Sequence, residues 1–133
     1  VSDILSISPR IEAVQWIEHL EVILGKYRFN FINEKELQAG MAKAFARLEE
    51  PFMREYKLSD EDIVDFYWPH KKVGLEAKID RSLSDLIRQV HRYCQHESIL
   101  GILVVTSKAR LANLPEEMSN KPIRCHSLLG SLL

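Results

Sequence analysis

The sequence predicts an α/β fold, a mixed β-sheet in which an antiparallel three-strand meander gains a parallel crossover strand, with helices on both faces. Two amphipathic helical stretches open the chain, and three strand-like runs then follow in close succession. A helical stretch next leads into residues 99–106, a continuous apolar, β-branched run of the kind found in a strand covered on both faces. A chain of 133 residues can bury a sizeable core, and 28% charged residues is ordinary for a globular protein, so one domain over 1–133 is expected. Within it, 1–32 form a helix and an extended arm, and 33–129 form the core.

Each element has its own signal. Ser8 and Pro9 start a helix, as cap and first residue; Ile11, Val14, Ile17, Leu20 and Leu24 keep helical spacing, and Gly25 stops it. Tyr27, Phe29 and Phe31 alternate with polar residues, which predicts extended chain. Asn33 and Glu36 form a capping-box pair for a second helix striped by Leu37, Met41, Phe45 and Leu48, and Pro51 ends it. Strands are predicted at 52–58, 63–68 and 73–79, and a third helix at 83–96. After the 99–106 strand, Ser107 caps a short helix closed by Pro115, and 122–129 can form a last strand.

Composition narrows the setting. No apolar run approaches membrane-span length, so no membrane partner is expected. The N-terminus lacks a charged-then-apolar leader, and Cys94 and Cys125 are far apart, which suits a reduced, cytoplasmic (intracellular) setting. The first residue is Val, as in a processed chain or excised domain. A formal charge of −1 stands against nucleic-acid binding by bulk electrostatics, leaving local patches, metal ions or oligomerisation as the source of any such affinity.

The turn at Pro69-His70-Lys71-Lys72 fixes a register if His70 and Lys71 form a two-residue loop. Trp68 then faces Val73, Phe66 faces Leu75 and Asp65 faces Glu76. Val64, Phe66, Trp68, Val73, Leu75, Ala77 and Ile79 share one apolar face, and Asp65, Glu76 and Lys78 share the other. Two opposed carboxylates repel unless a divalent cation reverses the sign of the interaction. Lys78 can orient an attacking water or meet phosphate charge. An exposed polar sheet face with an ordinary Glu–Lys mixture is the plainer alternative.

Asp65 followed by Glu76-Ala77-Lys78 across a short hairpin resembles the PD-(D/E)XK, restriction-endonuclease-like nuclease motif. The likeness spans roughly 33–105 and includes the family's order of helix, three strands, helix and strand. It departs at Val64, where the motif has proline. The resemblance implies metal-dependent hydrolysis of nucleic-acid phosphodiester bonds, DNA more than RNA. Asp65, Glu76 and Lys78 are then catalytic, and Asp65, Glu76 and the Ala77 carbonyl ligate Mg2+ or Mn2+. Glu36 is the further acidic ligand that many members carry on the preceding helix, although its capping role explains it as well. Gln89 and Tyr93 resemble the QxxxY motif of RecB-type and phage-type exonucleases and are the expected substrate-binding pair.

Other clusters carry less. His91, Cys94, His96, Cys125 and His126 contain no close cysteine pair of zinc-site type. His70, Lys71 and Lys72 form a basic knob that could touch phosphate or simply be a solvated turn. Arg81, Arg88, Arg92, Lys108 and Arg110 form either a positive patch or a charged helix surface. Two further readings compete with the enzyme. One is a non-catalytic module on the same fold, binding nucleic acid or protein. The other is an assembly domain using the first helix and an apolar C-terminal stretch, 128–133, as contact surfaces. A homodimer, or a place within a larger protein or complex, is compatible with all of them.

Overall fold

The computed structural model describes residues 8–30, 32–107 and 113–128. Three helices, α1 (Pro9–Lys26), α2 (Glu34–Phe45) and α3 (Leu83–Cys94), flank a six-stranded sheet. Its strands are β1 (Met53–Lys57), β2 (Ile63–Trp68), β3 (Val73–Lys78), β4 (Gly101–Thr106), β5 (Glu117–Met118) and β6 (Lys121–Ser127), in the order β1-β2-β3-β4-β6-β5. The first three strands form the antiparallel meander; β4 joins β3 in parallel through the α3 crossover, and β6 joins β4 in parallel. The α/β class and the mixed sheet are as the sequence predicts. The two-residue β5, antiparallel to β6, has no counterpart in the sequence reading. The short helix expected after Ser107 falls largely outside the described residues. Residues 27–30 form an arm outside the sheet.

Local chemistry sets the helix starts. Ser8, Asn33 and Ser82 each accept a backbone N–H from three residues on (Ile11, Glu36 and Asp85), at 3.2, 2.8 and 3.2 Å. These bonds satisfy donors that a helix leaves unpaired at its first turn.

The sheet divides two cores. On one face Ile17, Leu20 and Leu24 of α1 and Leu37, Met41 and Phe45 of α2 close over Phe66, Trp68, Val73, Leu75 and Ala77. Phe45 is the hub of its aromatic packing, edge-on to Phe66 at 5.3 Å and to Trp68 at 5.1 Å. On the other face Leu86, Val90 and Tyr93 of α3 pack on Val64, Tyr67, Ile102 and Val104. Strand β4 is buried throughout, as its unbroken apolar run requires.

Two expectations about the β2–β3 hairpin need correction. Trp68 does pair with Val73 and Phe66 with Leu75, but the loop takes four residues, 69–72. Lys71 N–H closes a turn on the Trp68 carbonyl at 3.2 Å, with Pro69 in the position whose φ proline presets, and Lys72 adopts φ 54°. Nor is Val64 on the face of Phe66: it packs under α3. The side-chain alternation of β2 slips at Asp65. The neighbouring β1 departs from strand geometry at the residue opposite, Glu55, whose φ is 49°.

Phe45→Ala should cost about 3–5 kcal/mol, since it empties the centre of the aromatic cluster. Gly25→Ala should stabilise by about 0.5–1 kcal/mol, because Gly25 is helical with open space at its Cβ position. Urea unfolding of both variants checks the assignment of core and surface, and an unchanged midpoint for Phe45→Ala would refute it.

Candidate functional site

Strand pairing between β2 and β3 stops at Phe66 and Leu75. Beyond that point the strands exchange side chains with backbone. Asp65 N–H donates to Glu76 Oε1 at 3.0 Å, and Ala77 N–H donates to Asp65 Oδ2 at 2.8 Å. Asp65 and Glu76, predicted as neighbours, are therefore brought together as a reciprocal pair bridging the gap. Lys78, on the same strand two residues past Glu76, places Nζ 3.0 Å from Glu76 Oε2. Both Glu76 and Lys78 are buried.

Tyr93 reaches the same place from α3. Its hydroxyl lies 2.7 Å from the Ile63 carbonyl and 3.2 Å from Glu76 Oε1. A phenol has one proton to donate. Given to the nearer carbonyl, it leaves the phenol oxygen as an acceptor, which a protonated Glu76 satisfies. The electrostatics agree: burial, then the nearby Asp65 charge, push the Glu76 carboxyl up to about 7 against the pull of Lys78. Burial also raises Asp65, with the charges of Glu34 and Glu55 adding to it against the Ala77 N–H and Lys78. Tyr93 is raised too, by its own burial and by Glu76.

The helix-borne residues fall differently from expectation. Tyr93 meets the carboxylates, but it is buried and its contact is with Glu76, so it holds the site from behind. Gln89, one turn earlier on α3, is half-buried, and its Oε1 has no hydrogen-bond partner among the described residues. Glu36 does not join the group: it is exposed and lines a separate cleft with Tyr27 and Arg47. Glu34 instead turns inward, accepting the Ile79 N–H at 3.1 Å just past β3. The signal was in the helix stripe, since Glu34 precedes Leu37 by three and Met41 by seven and so shares their inward face.

A second cluster, missed in the sequence, braces the site. Buried Asp62 accepts from Arg92 Nε at 3.0 Å and pairs with His96 Nε2 at 2.9 Å. Burial works to raise the Asp62 carboxyl, yet bonds from His96 and Arg92 outweigh it and hold the group below its ordinary value. The pair ties the start of β2 to the end of α3, the helix that delivers Tyr93.

Several residues of the remaining clusters make structural contacts. Lys71 sits 3.1 Å from Glu12 and His70 3.2 Å from Glu50, so the hairpin tip is partly neutralised. Arg88 pairs with Asp85, Arg92 serves Asp62, and Lys108 and Arg110 lie outside the described residues. Neither cysteine forms a disulfide. Leu128 is buried in the core, not offered as a contact surface, and 129–133 lie outside the described residues. Among the described residues no helix is long and apolar enough to cross a membrane. No three His, Cys, Asp or Glu side chains there are grouped to hold a metal ion by themselves. Asp65 and Glu76 still suit a hard divalent cation. Both are oxygen donors disfavoured as free anions, and magnesium asks for only one or two protein carboxylates.

The raised carboxyl makes the fold's stability depend on pH. Between the ordinary 4.5 and about 7, the unfolded chain releases a proton that folded Glu76 keeps. Stability therefore falls across that window, by roughly 3 kcal/mol in all, and levels off above it. In Glu76→Gln this slope should flatten markedly, as measured by urea unfolding across the window without divalent ions. A wild-type slope in the variant would place the proton elsewhere.

Compared with known proteins, the chain matches no family model, no curated protein and no solved structure.

Proposed function

We propose that the chain is a metal-dependent nuclease of the restriction-endonuclease-like, PD-(D/E)XK type, hydrolysing phosphodiester bonds of nucleic acid, with DNA as the favoured substrate. The observation that carries this reading is the meeting of Asp65, Glu76 and Lys78 where β2 and β3 separate. An inert polar sheet would continue its ladder there. Instead, two carboxylates with raised proton affinity and an ammonium group are concentrated at the parted strands.

Asp65 and Glu76, with the Ala77 carbonyl, are the residues that would hold Mg2+ or Mn2+, and Glu34 rather than Glu36 is the acidic group nearest to help. Such an ion supplies Lewis acidity and a water acidic enough to attack near neutral pH. Lys78 stands beside the carboxylates, placed to orient that water or to face developing phosphate charge. Tyr93 fixes Glu76 from behind. The unpartnered Gln89 Oε1, one helical turn away, is a candidate acceptor for a substrate or water donor.

A non-catalytic binding module on the same sheet is the second reading. It is favoured by the lack, among the described residues, of a three-ligand group and by Lys78 already pairing with Glu76.

Linear, circular and single-stranded DNA and RNA should be incubated with magnesium, manganese or EDTA. Metal-dependent cutting is expected, lost in Glu76→Ala and reduced about 10²–10³-fold in Lys78→Met with the fold retained by circular dichroism. No cutting of any substrate, together with no metal-induced thermal shift, would favour the binding module.

A further inference from the structure

On the outer side of α2, away from the carboxylates, a cleft of about 410 Å³ opens between the helix and the arm at 27–30. Its volume falls in the range of pockets that enclose small ligands. Two features set it apart from the rest of the surface.

The first is charge. Arg28, Lys43 and Arg47 line it against one carboxylate, Glu36, on a chain whose formal charge is −1. The second is an aromatic wall. Tyr27 and Phe29 are half-buried, their ring centroids 6.1 Å apart and tilted by 40°. Arg47 is held beside this wall, its guanidinium 5.8 Å from the Tyr27 ring centre and one nitrogen 3.4 Å from the Tyr27 hydroxyl. One contact leaves most of the five guanidinium donors for a ligand. Gly40 brings the helix backbone close to the wall: a Cβ there would meet the Phe29 ring at 3.2 Å.

We infer that this cleft binds one nucleotide of a single-stranded nucleic acid, its base against Tyr27 and Phe29 and its phosphates on Lys43 and Arg47. Rings beside cations along a groove are how proteins hold single strands without reading sequence. An acidic peptide would use the cations but leave the rings idle. The cleft also has a direction. The same helix runs from Lys43 back to Glu34, about 14 Å along its axis at 1.5 Å per residue, and Glu34 accepts the Ile79 N–H just past β3 and adds its charge to the field at Asp65. Resting on the nuclease reading, the cleft is a subsite for the strand flanking the bond to be cut.

Binding can be tested apart from cleavage. Fluorescence anisotropy in EDTA would follow a labelled oligothymidylate and an abasic oligonucleotide of equal length, each across a range of salt. The Lys43→Gln/Arg47→Gln double variant should weaken both and lower the salt slope by about 1.4, at about 0.7 per lost phosphate contact. Tyr27→Ala should weaken oligothymidylate about 5- to 150-fold and the abasic strand, which loses only the placement of Arg47, far less. Lys43 and Arg47 are exposed, so their double variant tests the cleft without disturbing the core. Wild-type affinity in that variant overturns the inference, as does polyglutamate displacing the oligonucleotide more strongly than unlabelled oligothymidylate. The two proposals separate cleanly. Normal metal-dependent cleavage with no cleft effect on binding sinks the subsite alone, and a cleft effect in a protein that cuts nothing sinks the nuclease alone.

Discussion

Where β2 and β3 part beyond Phe66 and Leu75, two backbone amides lose their strand partners, and the site is built around that loss. Asp65 N–H is taken by the Glu76 carboxylate and Ala77 N–H by the Asp65 carboxylate. A buried amide left unpaired costs about 1–3 kcal/mol, so these side chains belong to the sheet as much as to any chemistry. The exchange also sets the electrostatics. Backbone bonding draws the two acids into a buried position, and desolvation raises the proton affinity of both, with the Asp65 charge adding to the effect on Glu76. Lys78 offsets part of it. The cost of assembling the group is borne by the surrounding cores, Phe45 and Trp68 on one side and Val90 and Ile102 on the other.

Helix α3 is the second support. Tyr93 can meet Glu76 only if the helix end is held against the start of β2. The buried Asp62 does this by gripping Arg92, the residue before Tyr93, and His96, three residues after it. The phenol's bond to the Ile63 carbonyl adds a third tie between the same two segments. A carboxylate, a guanidinium and an imidazole thus brace the strand end from which Asp65 projects. None of them reaches the carboxylate pair itself.

Much of this was legible in the sequence, for reasons that also explain what was not. The limits of β2 were readable because they come from its own apolar run, and the pairing of Trp68 with Val73 because both must be buried. The loop was misjudged although Pro69 signalled a turn with proline at its second position. The register survived because a two-residue and a four-residue loop here leave the same pairs opposite. The face of Val64 could not be read: strict alternation fails at Asp65, and glutamate at position 55 gives no hint of a left-handed backbone. Glu36 was expected as a ligand because the family resemblance places an acidic residue on this helix, while the inward stripe turns Glu34 toward the end of β3. Asp62, Arg92 and His96 are 30 and 34 residues apart, a separation no local pattern spans. Proximity of Asp65 to Glu76 was legible; their exchange of backbone bonds was not, because it depends on where the strands separate.

The departure of Glu55 from strand geometry also shapes the margin of the sheet. Strand β1 is an edge of the sheet, and an edge presents unpaired amides and carbonyls to any passing strand. A left-handed residue in the middle of β1 interrupts that row, and Arg54 and Lys57 add charge around it. The opposite edge, β5, is only two residues long. The distortion opposite Asp65 thus leaves the β1 margin without a long flat template for another strand.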